Sequence, residues 1–368
     1  MKVTVTQEKL NRGLFVSSHI ASQHTTLPIL NSILFEAKQE GLFLKATDLE
    51  IGITMLLRGK VEKEGSLAVD SKLISNYITL LPSDKVDLEL KDNTLIISSL
   101  DHIAKIHTLP IDEYPIIPHI DQKQIYKTTA KNIRSALESV VFCASIDSSR
   151  PELNGILVML EKDKMTLVGT DSYRLAEKGI RIDSKFEKPT RFILPLKTAR
   201  ELIRTIPDSE DEIKISIEEN QVGFLYTDIE MVTRTIDAEY PDYKQILPNG
   251  NKSRVVLAKE ELMRSVKAAG LFSQSTSGSI TIELSNEKGE VSIFSSAASI
   301  GENKTTMKAS VEGKNEKVIL NYRYLLEGIQ NISGGEVAIE TTDSFSPVVV
   351  QPSEENKNYL YLVMPIRQ

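Results

Sequence analysis

An α+β fold of three repeated domains is what this 368-residue sequence predicts, on three observations. Landmarks recur at a nearly constant step of 123 to 126 residues, each step reads helix, strands, helix, strands, and short polar turns rather than βαβ crossovers separate the strands. The length points the same way, because a single core rarely keeps growing past ~250 residues.

The clearest landmark is a Thr-Asp pair, in "LKATDLEIGI" (Leu44 to Ile53) and again in "LVGTDSYRLAEKG" (Leu167 to Gly179), 123 residues apart. "SKLISNYITLLPSDKVDLEL" (Ser71 to Leu90) matches "KTARELIRTIPDSEDEIKISI" (Lys197 to Ile217), with Pro82 and Pro207 separated by 125. "LPIDEYPIIP" matches "IDAEYPDYKQILP", with Tyr114 and Tyr240 separated by 126. A more diverged third copy carries "NYRYLLEGIQNISGGEVAIE" (Asn321 to Glu340) and closes on "YLVMPIRQ". The predicted domains are 1–121, 122–251 and 252–368; repeats this long are duplicated domains rather than solenoid units.

Helices are predicted in the windows 7–18, 70–79, 129–140, 197–206, 259–268 and 321–330, two per domain. In the first, Leu10, Leu14, Phe15 and Val16 fall at roughly helical intervals, as Ile133, Leu137, Val140 and Val141 do in the third. Strands are predicted in "LFLKA", "KVDLELKDNTLIISS", "MTLVGT", "IKISIEENQVGFLYT", "SITIELSNEKGEVSIFSS" and "EVAIETTDSFSPVVV". Turns such as "DN", "EN" and "NEKG" fold several of these into hairpins, so the sheets should be antiparallel.

Composition is that of a soluble globular protein, and neither a signal peptide nor 18 consecutive apolar residues is present, so no membrane partner is expected and the predicted location is cytoplasmic. The single cysteine, Cys143, excludes a disulfide framework and reads as an inert core thiol in a reducing compartment.

Charge is unevenly placed. The chain carries −7, yet Lys and Arg exceed Asp and Glu by five within the six helix windows. If those helices share a surface, Lys72, Lys131, Arg134, Lys197, Arg200, Arg204, Lys259, Arg264 and Lys267 could hold a polyanion without reading its sequence. The plainer alternative is a set of solvated helix faces.

Catalytic signatures are missing. The sequence has no P-loop, H-E-x-x-H, G-x-S-x-G or paired CxxC, and none of His19, His24, His102, His107 and His119 lies four residues from another. Asp48 and Asp171 read as turn formers, whose carboxylates satisfy neighbouring backbone donors, rather than as catalytic acids. No enzyme activity, cofactor or metal is expected.

The whole chain resembles the bacterial DNA polymerase III beta subunit family, the replicative sliding clamps. The resemblance rests on "TLPILNSILFEA", "LKATDLEIGI", "SRPELNGILVMLE", "GTDSYRLAEKG", "EYPDYKQILP" and "YLVMPIRQ" in order. It implies three clamp domains with antiparallel sheets outside and helices inside, closed into a ring by a head-to-tail homodimer around duplex DNA. The basic helices would then face DNA, with His24 where the family often has arginine and Arg150 in the matching loop of the second domain. The implied dimer interface joins Tyr77, Leu81, Ala104 and Ile106 to Leu271 and Phe272 of a second copy.

The resemblance also implies a hydrophobic peptide-binding pocket. Its matching positions are Leu153, Thr170, Ser172, Tyr173, Arg174, Leu175, Pro241, Ile246, Asn321, Tyr324, Val363, Met364, Pro365, Ile366 and Arg367. Met364 can adapt its shape to an aliphatic or aromatic side chain, while Arg174 or Arg367 can meet a carboxylate or carbonyl. Gln245 stands where a basic residue is common, Ser277 where an apolar one is, and Phe345 and Pro347 where smaller ones are, which implies altered peptide preference. Implied partners are duplex DNA without sequence specificity, the DNA polymerase III alpha subunit, the clamp loader delta subunit, and other DNA polymerases or repair proteins. The implied location is cytoplasmic, with the nucleoid. Two other readings are a peptide-binding scaffold that does not encircle DNA and a hydrolase using Asp48 or Asp171.

Overall fold

The computed structural model describes residues 1–21, 27–119, 124–184, 188–248, 250–273, 278–353 and 358–367. Six α-helices are present among them: α1 (Gln7–Ile20), α2 (Ser71–Leu80), α3 (Ala130–Val141), α4 (Leu196–Thr205), α5 (Lys259–Leu271) and α6 (Tyr322–Asn331). They coincide with the six predicted windows, α5 running three residues further than expected. No described helix is long and apolar enough to cross a membrane.

Local chemistry fixes the helix starts. Asp70 caps α2 by accepting the Leu73 backbone N–H at 2.7 Å. Asn321 caps α6, its Oδ1 accepting from Arg323 N at 2.8 Å and Tyr324 N at 3.3 Å. Each satisfies donors that the first helical turn leaves unpaired. α1 buries Leu10, Leu14, Ser17 and Ile20 at the three-to-four-residue spacing of one face, and its buried Gln7 side chain donates to Ile78 O of α2 at 2.8 Å.

The strands form four antiparallel sheets in two compact units. One unit comprises Met1–Lys131, Asp183–Phe186 and Arg204–Thr235. Its five-stranded sheet runs, in spatial order, Lys60–Lys63, Lys2–Thr6, Lys85–Lys91, Thr94–Ser99 and His102–His107. Its nine-stranded sheet runs Asp183–Ser184, Ile125–Thr129, Glu212–Glu218, Gln221–Tyr226, Ile229–Arg234, Ile51–Leu57, Gly41–Thr47, Ser32–Lys38 and Gly65–Asp70.

The second unit comprises Asn132–Ile182, Glu187–Ile203 and Ile236–Gln368. Its nine-stranded sheet runs Thr190–Pro195, Gly155–Leu160, Lys164–Thr170, Arg174–Arg181, Tyr359–Val363, Val348–Pro352, Glu336–Thr341, Ser253–Ala258 and Ser310–Gly313. Its four-stranded sheet runs Gly301–Lys308, Glu290–Ala297, Ser279–Ser285 and Glu316–Asn321.

Every predicted strand segment is therefore a strand, and the pairing adds something the repeats did not announce. The nine-stranded sheets cross repeat limits: Ile53 of the first repeat pairs with Met231 of the second, and Leu175 of the second with Leu362 of the third. Strands of the middle repeat are thus shared between the two units.

Close packing positions the end of the chain in the second unit. α6 approaches the strand Tyr359–Val363 so nearly that a Cβ on Gly328 would sit 2.0 Å from the Tyr361 ring. Tyr361 is wholly buried and its hydroxyl donates to Tyr324 O at 2.7 Å. Only glycine leaves room for that ring beneath the helix.

Candidate peptide site and its flanking surfaces

The two Thr-Asp sequences build the same turn. Thr47 Oγ1 donates to Ile51 O at 2.8 Å and accepts from Leu49 N at 3.0 Å; Thr170 Oγ1 donates to Arg174 O at 2.6 Å and accepts from Ser172 N at 3.2 Å. Asp48 Oδ1 accepts from Glu50 N and Ile51 N, and Asp171 Oδ1 from Tyr173 N and Arg174 N, all between 2.8 and 3.0 Å. In each turn the residue after Asp is left-handed, Leu49 at φ 76° and Ser172 at φ 78°. Such a conformation costs a residue with a side chain about 1–2 kcal/mol. Four side-chain hydrogen bonds at about 1 kcal/mol each offset that cost.

In the third repeat the corresponding hairpin lies between Ala297 and Gly301, and its loop reads Ala298-Ser299-Ile300. It closes through Ile300 N to Ala297 O at 3.0 Å, with the positive φ carried by Gly301 at 125°. The Thr-Asp pair is one solution to a three-residue hairpin loop, and glycine is another.

The second turn carries what the first does not, Arg174 at the position of Ile51. Its Nε donates to Asp171 Oδ2 at 3.0 Å, its Nη2 to Phe142 O at 2.8 Å, and its Nη1 to Glu327 of α6. The guanidinium lies over the Tyr324 ring, 4.5 Å from the centroid, and near the Phe142 ring at 5.6 Å. Burial works against the charge, but the Glu327 hydrogen bond and the neighbouring acids raise the Arg174 pKa further above its ordinary value. Arg174 is thus a bracket between the turn and α6, with most of its donors already committed.

Around this bracket the predicted residues separate by depth. Leu153, Thr170, Leu175 and Val363 are buried; Asn321, Tyr324, Met364, Pro365 and Ile366 are half-buried; Ser172, Pro241, Ile246 and Arg367 are exposed. Tyr173 is 63% exposed and stacks on Tyr324, with centroids 6.4 Å apart and planes at 26°. Backbone bonds hold the chain end in place: Met364 N donates to Tyr173 O at 2.9 Å and Ile366 N to Ile319 O at 2.8 Å. Asn321 spends its carbonyl on the α6 cap, and Ser172 Oγ accepts from Arg150 Nη1 at 2.7 Å.

The sheet divides the set into two faces. Arg174 points toward Phe142 and Tyr324, while Leu175, next along the strand, joins Leu157, Val168, Tyr243, Val349 and Leu362 in a separate apolar cluster. Tyr243 belongs to a 3₁₀ turn (Tyr243–Ile246), and its backbone N–H donates to Pro241 O at 2.8 Å. Its hydroxyl donates to Glu177 at 2.6 Å, and burial together with that carboxylate pushes the phenol pKa up.

Three neighbours were missing from the predicted set. Leu362 shares the Leu175 cluster, and period-two alternation along "YLYLVMP" offered the signal. Phe142 and Glu327 enter through the bracket, and no sequence pattern pairs them with Arg174. Gln245 donates to Asp242 Oδ2 at 3.0 Å, Phe345 is largely exposed and Pro347 half-buried, while Ser277 lies outside the described residues.

The predicted DNA-facing residues behave unequally. Lys72, Arg200, Arg264 and Lys267 are exposed with no carboxylate at ion-pair distance among the described residues. Lys131 pairs with Glu210 at 3.3 Å, Arg134 with Glu138 at 3.0 Å and Arg150 with Glu152 at 3.1 Å, while Lys197 is exposed. Arg204 donates to Phe15 O and Val16 O, both at 3.3 Å, and covers the Phe15 ring. Lys259 donates to Gln330 O and Ile332 O at the C-terminal end of α6, where a cation meets unpaired carbonyls. Both therefore have structural work inside their own unit. His24 lies outside the described residues.

At the implied interface, Leu81 and Ile106 are already buried in their own unit, and Tyr77, Ala104 and Phe272 are half-buried. Leu271 is 75% exposed, and so is Ile103, at 70%, which the predicted set omitted. The strand that carries Ile103, His102–His107, is one of the two outer strands of the five-stranded sheet, and Gly301–Lys308 is one of the two outer strands of the four-stranded sheet.

Asp48 and Asp171 each accept backbone amide hydrogen bonds within their own turns, and Asp171 also meets Arg174, which is the turn-forming role expected of them. Among the described residues no group of three His, Cys, Asp or Glu could hold a metal. Cys143 is fully buried, and burial pushes its thiol pKa well up.

Comparison with known proteins gives a consistent result along the chain. Profiles of the DNA polymerase III beta subunit match residues 1–118 as its N-terminal domain, 127–242 as its central domain and 244–367 as its C-terminal domain. The beta sliding clamps of Synechococcus elongatus and Bacillus subtilis are 26% and 24% identical over 378 and 379 residues, covering all of this chain and 99% and 100% of those proteins. The crystal structure of the DNA polymerase III beta subunit of Thermotoga maritima superposes with a TM-score of 0.93 at 29% identity, over 100% of this chain and 99% of that one. The Bacillus subtilis sliding clamp shares the fold with a TM-score of 0.95 at 23% identity, over 100% and 99%.

Proposed function

The chain belongs to the DNA polymerase III beta subunit family, with its three-domain clamp fold, and from that premise we propose that it is a sliding clamp that encircles duplex DNA and tethers replication and repair proteins to it. Two copies close head to tail, each contributing domains 1–121, 122–251 and 252–368. The outer strands His102–His107 and Gly301–Lys308 favour this, since each leaves one edge unpaired in its own sheet and invites strand addition. Exposed Ile103 and Leu271 supply apolar surface for the joint.

The observation that carries the tethering role is the convergence of Tyr173, Tyr324 and Met364 on one bracketed turn. An apolar peptide anchor would rest against Met364 and the aromatic pair, with exposed Arg367 free to meet a carboxylate; Arg174 holds the wall rather than the ligand. Occupants of this site are the DNA polymerase III alpha subunit, the clamp loader delta subunit, and other polymerases or repair proteins bearing short linear peptides. Tethering raises the partner's effective concentration on DNA and leaves the chemical step to the partner. The clamp itself is a non-catalytic cytoplasmic protein of the nucleoid, without a cofactor.

DNA contact relies on exposed cations such as Lys72, Arg200, Arg264 and Lys267, a sequence-independent attraction that salt weakens. The deciding experiment loads the protein onto nicked circular plasmid with its matched clamp loader and ATP, then linearises the plasmid. Retention on the circle with rapid loss from free ends is the expected result. Equal retention before and after verified linearisation means ordinary surface binding and supports a scaffold that does not encircle DNA.

A further inference from the structure

The first unit repeats the geometry of the peptide site at its own cross-repeat strand pair. Ile51 and Gly52 pair with Thr233 and Val232, as Arg174 and Leu175 pair with Val363 and Leu362 in the second unit. The backbone bond that closes the turn is also repeated: Arg234 N donates to Glu50 O at 3.2 Å, as Met364 N donates to Tyr173 O at 2.9 Å. Glu50 and Arg234 thus occupy the places of Tyr173 and Met364, and Gly52 that of Leu175.

A cavity of about 300 Å³ opens at this place, walled by Leu49, Glu50, Gly52, Ile116, Val232 and Arg234. That size is at the lower end of the ~300–1,000 Å³ typical of ligand pockets. Gly52 allows its strand to meet Ile117 closely, since a Cβ there would lie 2.6 Å from Ile117 Cγ2. The next side chain back, Ile116, is 94% exposed, and Leu49 is held half outward by its left-handed turn. Two exposed apolar side chains lining one cavity are a feature that scattered surface residues do not make. Glu50 and Arg234 are exposed, and no ion pair joins them among the described residues. The rim therefore offers one charge of each sign beside an apolar wall.

We propose that this cavity is a second ligand site, which takes a short extended peptide whose apolar side chain is flanked by one basic and one acidic residue. The apolar side chain lies against Leu49 and Ile116, the base meets Glu50 and the acid meets Arg234. The two units differ in selectivity for a physical reason: the second offers an aromatic and methionine surface, the first a smaller aliphatic wall between opposite charges. The site lies in the first unit alone, so it stands or falls separately from the peptide site of the second.

The test is a methyl NMR titration of the full-length protein, reading Ile116 Cδ1 and Met364 Cε, with acetyl-Lys-Leu-Glu-amide against acetyl-Lys-Gly-Glu-amide. The Leu peptide should move the Ile116 methyl saturably and the Gly peptide should not. Arg234→Glu, at an exposed position, should weaken that binding about tenfold, the size of one charge-assisted contact. An Ile116 methyl that stays still, moves equally with both peptides, or responds unchanged in Arg234→Glu overturns the second site. Movement of Met364 alone also overturns it, while leaving the reading of the second unit intact.

Discussion

Replacing Arg174 with methionine keeps most of the side-chain volume and removes the bracket between the Thr170–Arg174 turn and α6. The Arg174 side chain is only 11% exposed, against 17% for Asp171 and 44% for Glu327. Breaking a fully buried ion pair costs about 3–5 kcal/mol. Here the cost is smaller, because Glu327 can rehydrate and Asp171 keeps its two backbone donors. What remains is the loss of charge-assisted hydrogen bonds and a Phe142 carbonyl without its donor, together about 2–3 kcal/mol. Hydrogen exchange is the suitable assay, because one global unfolding free energy is poorly defined for a chain of two units. The Met364 amide, bonded to Tyr173 O, should exchange about 30- to 150-fold faster, and a cycle with Glu327→Gln should show coupling above about 1 kcal/mol. Unchanged Met364 exchange and no coupling would refute the bracket.

Two further outcomes concern the peptide site and, in the other unit, an ion-paired carboxylate. Met364→Ala should weaken binding of an apolar linear peptide about tenfold, measured by fluorescence polarisation, while leaving the dimer intact by sedimentation; unchanged peptide affinity would remove Met364 from the site. Glu62 accepts hydrogen bonds from Lys2 and Lys60, which hold its carboxyl pKa down to about 2. Because the folded value is depressed, its stabilising effect is fully present above the ordinary carboxylate pKa near 4.5 and is lost as pH falls toward 2. Carboxyl ¹³C titration should show that low value returning toward 4.5 in the Lys2→Ala, Lys60→Ala double variant, and a Glu62 that titrates normally in the unmutated protein would dismiss the pairing.

Local features were legible because short-range chemistry sets them. Apolar residues at roughly helical intervals marked the first and third helices, the repeat pattern placed the others, and Asp70 and Asn321 mark where two of them start. The two Thr-Asp turns could be read as structural from their duplication, since a side chain that bonds its own backbone needs nothing from the rest of the chain. The third hairpin shows the limit of that reading: it reaches a similar loop with Gly301, and no repeated motif remains to announce it.

The roles of charged side chains were far less legible. Arg204 and Lys259 carry the same charge in sequence as Arg200 and Lys267, yet they are bound to backbone carbonyls while the others face solvent. Arg174, read in sequence as one of two cations able to meet a carboxylate or carbonyl, is held by Asp171, Glu327 and Phe142, contacts that no sequence pattern announces. Ile103 and Ile106 differ in exposure because a strand turns alternate side chains to opposite faces, and only the paired neighbour decides which face is the core.

The sequence by itself determined three repeated α+β units, their helices, their turns and the family to which the chain belongs. The repeats, helices and turns follow from periodicity and from side chains acting on their own backbone, whereas the family is carried by the resemblance of motifs in order along the whole chain. Only the tertiary structure decided that Ile53 pairs with Met231 and Leu175 with Leu362, because strand partners more than a hundred residues apart are chosen by complementary faces and closed hydrogen bonds. From those pairings come the bracketed turn in one unit and the charged-rim cavity in the other, neither of which is written in any contiguous stretch of residues.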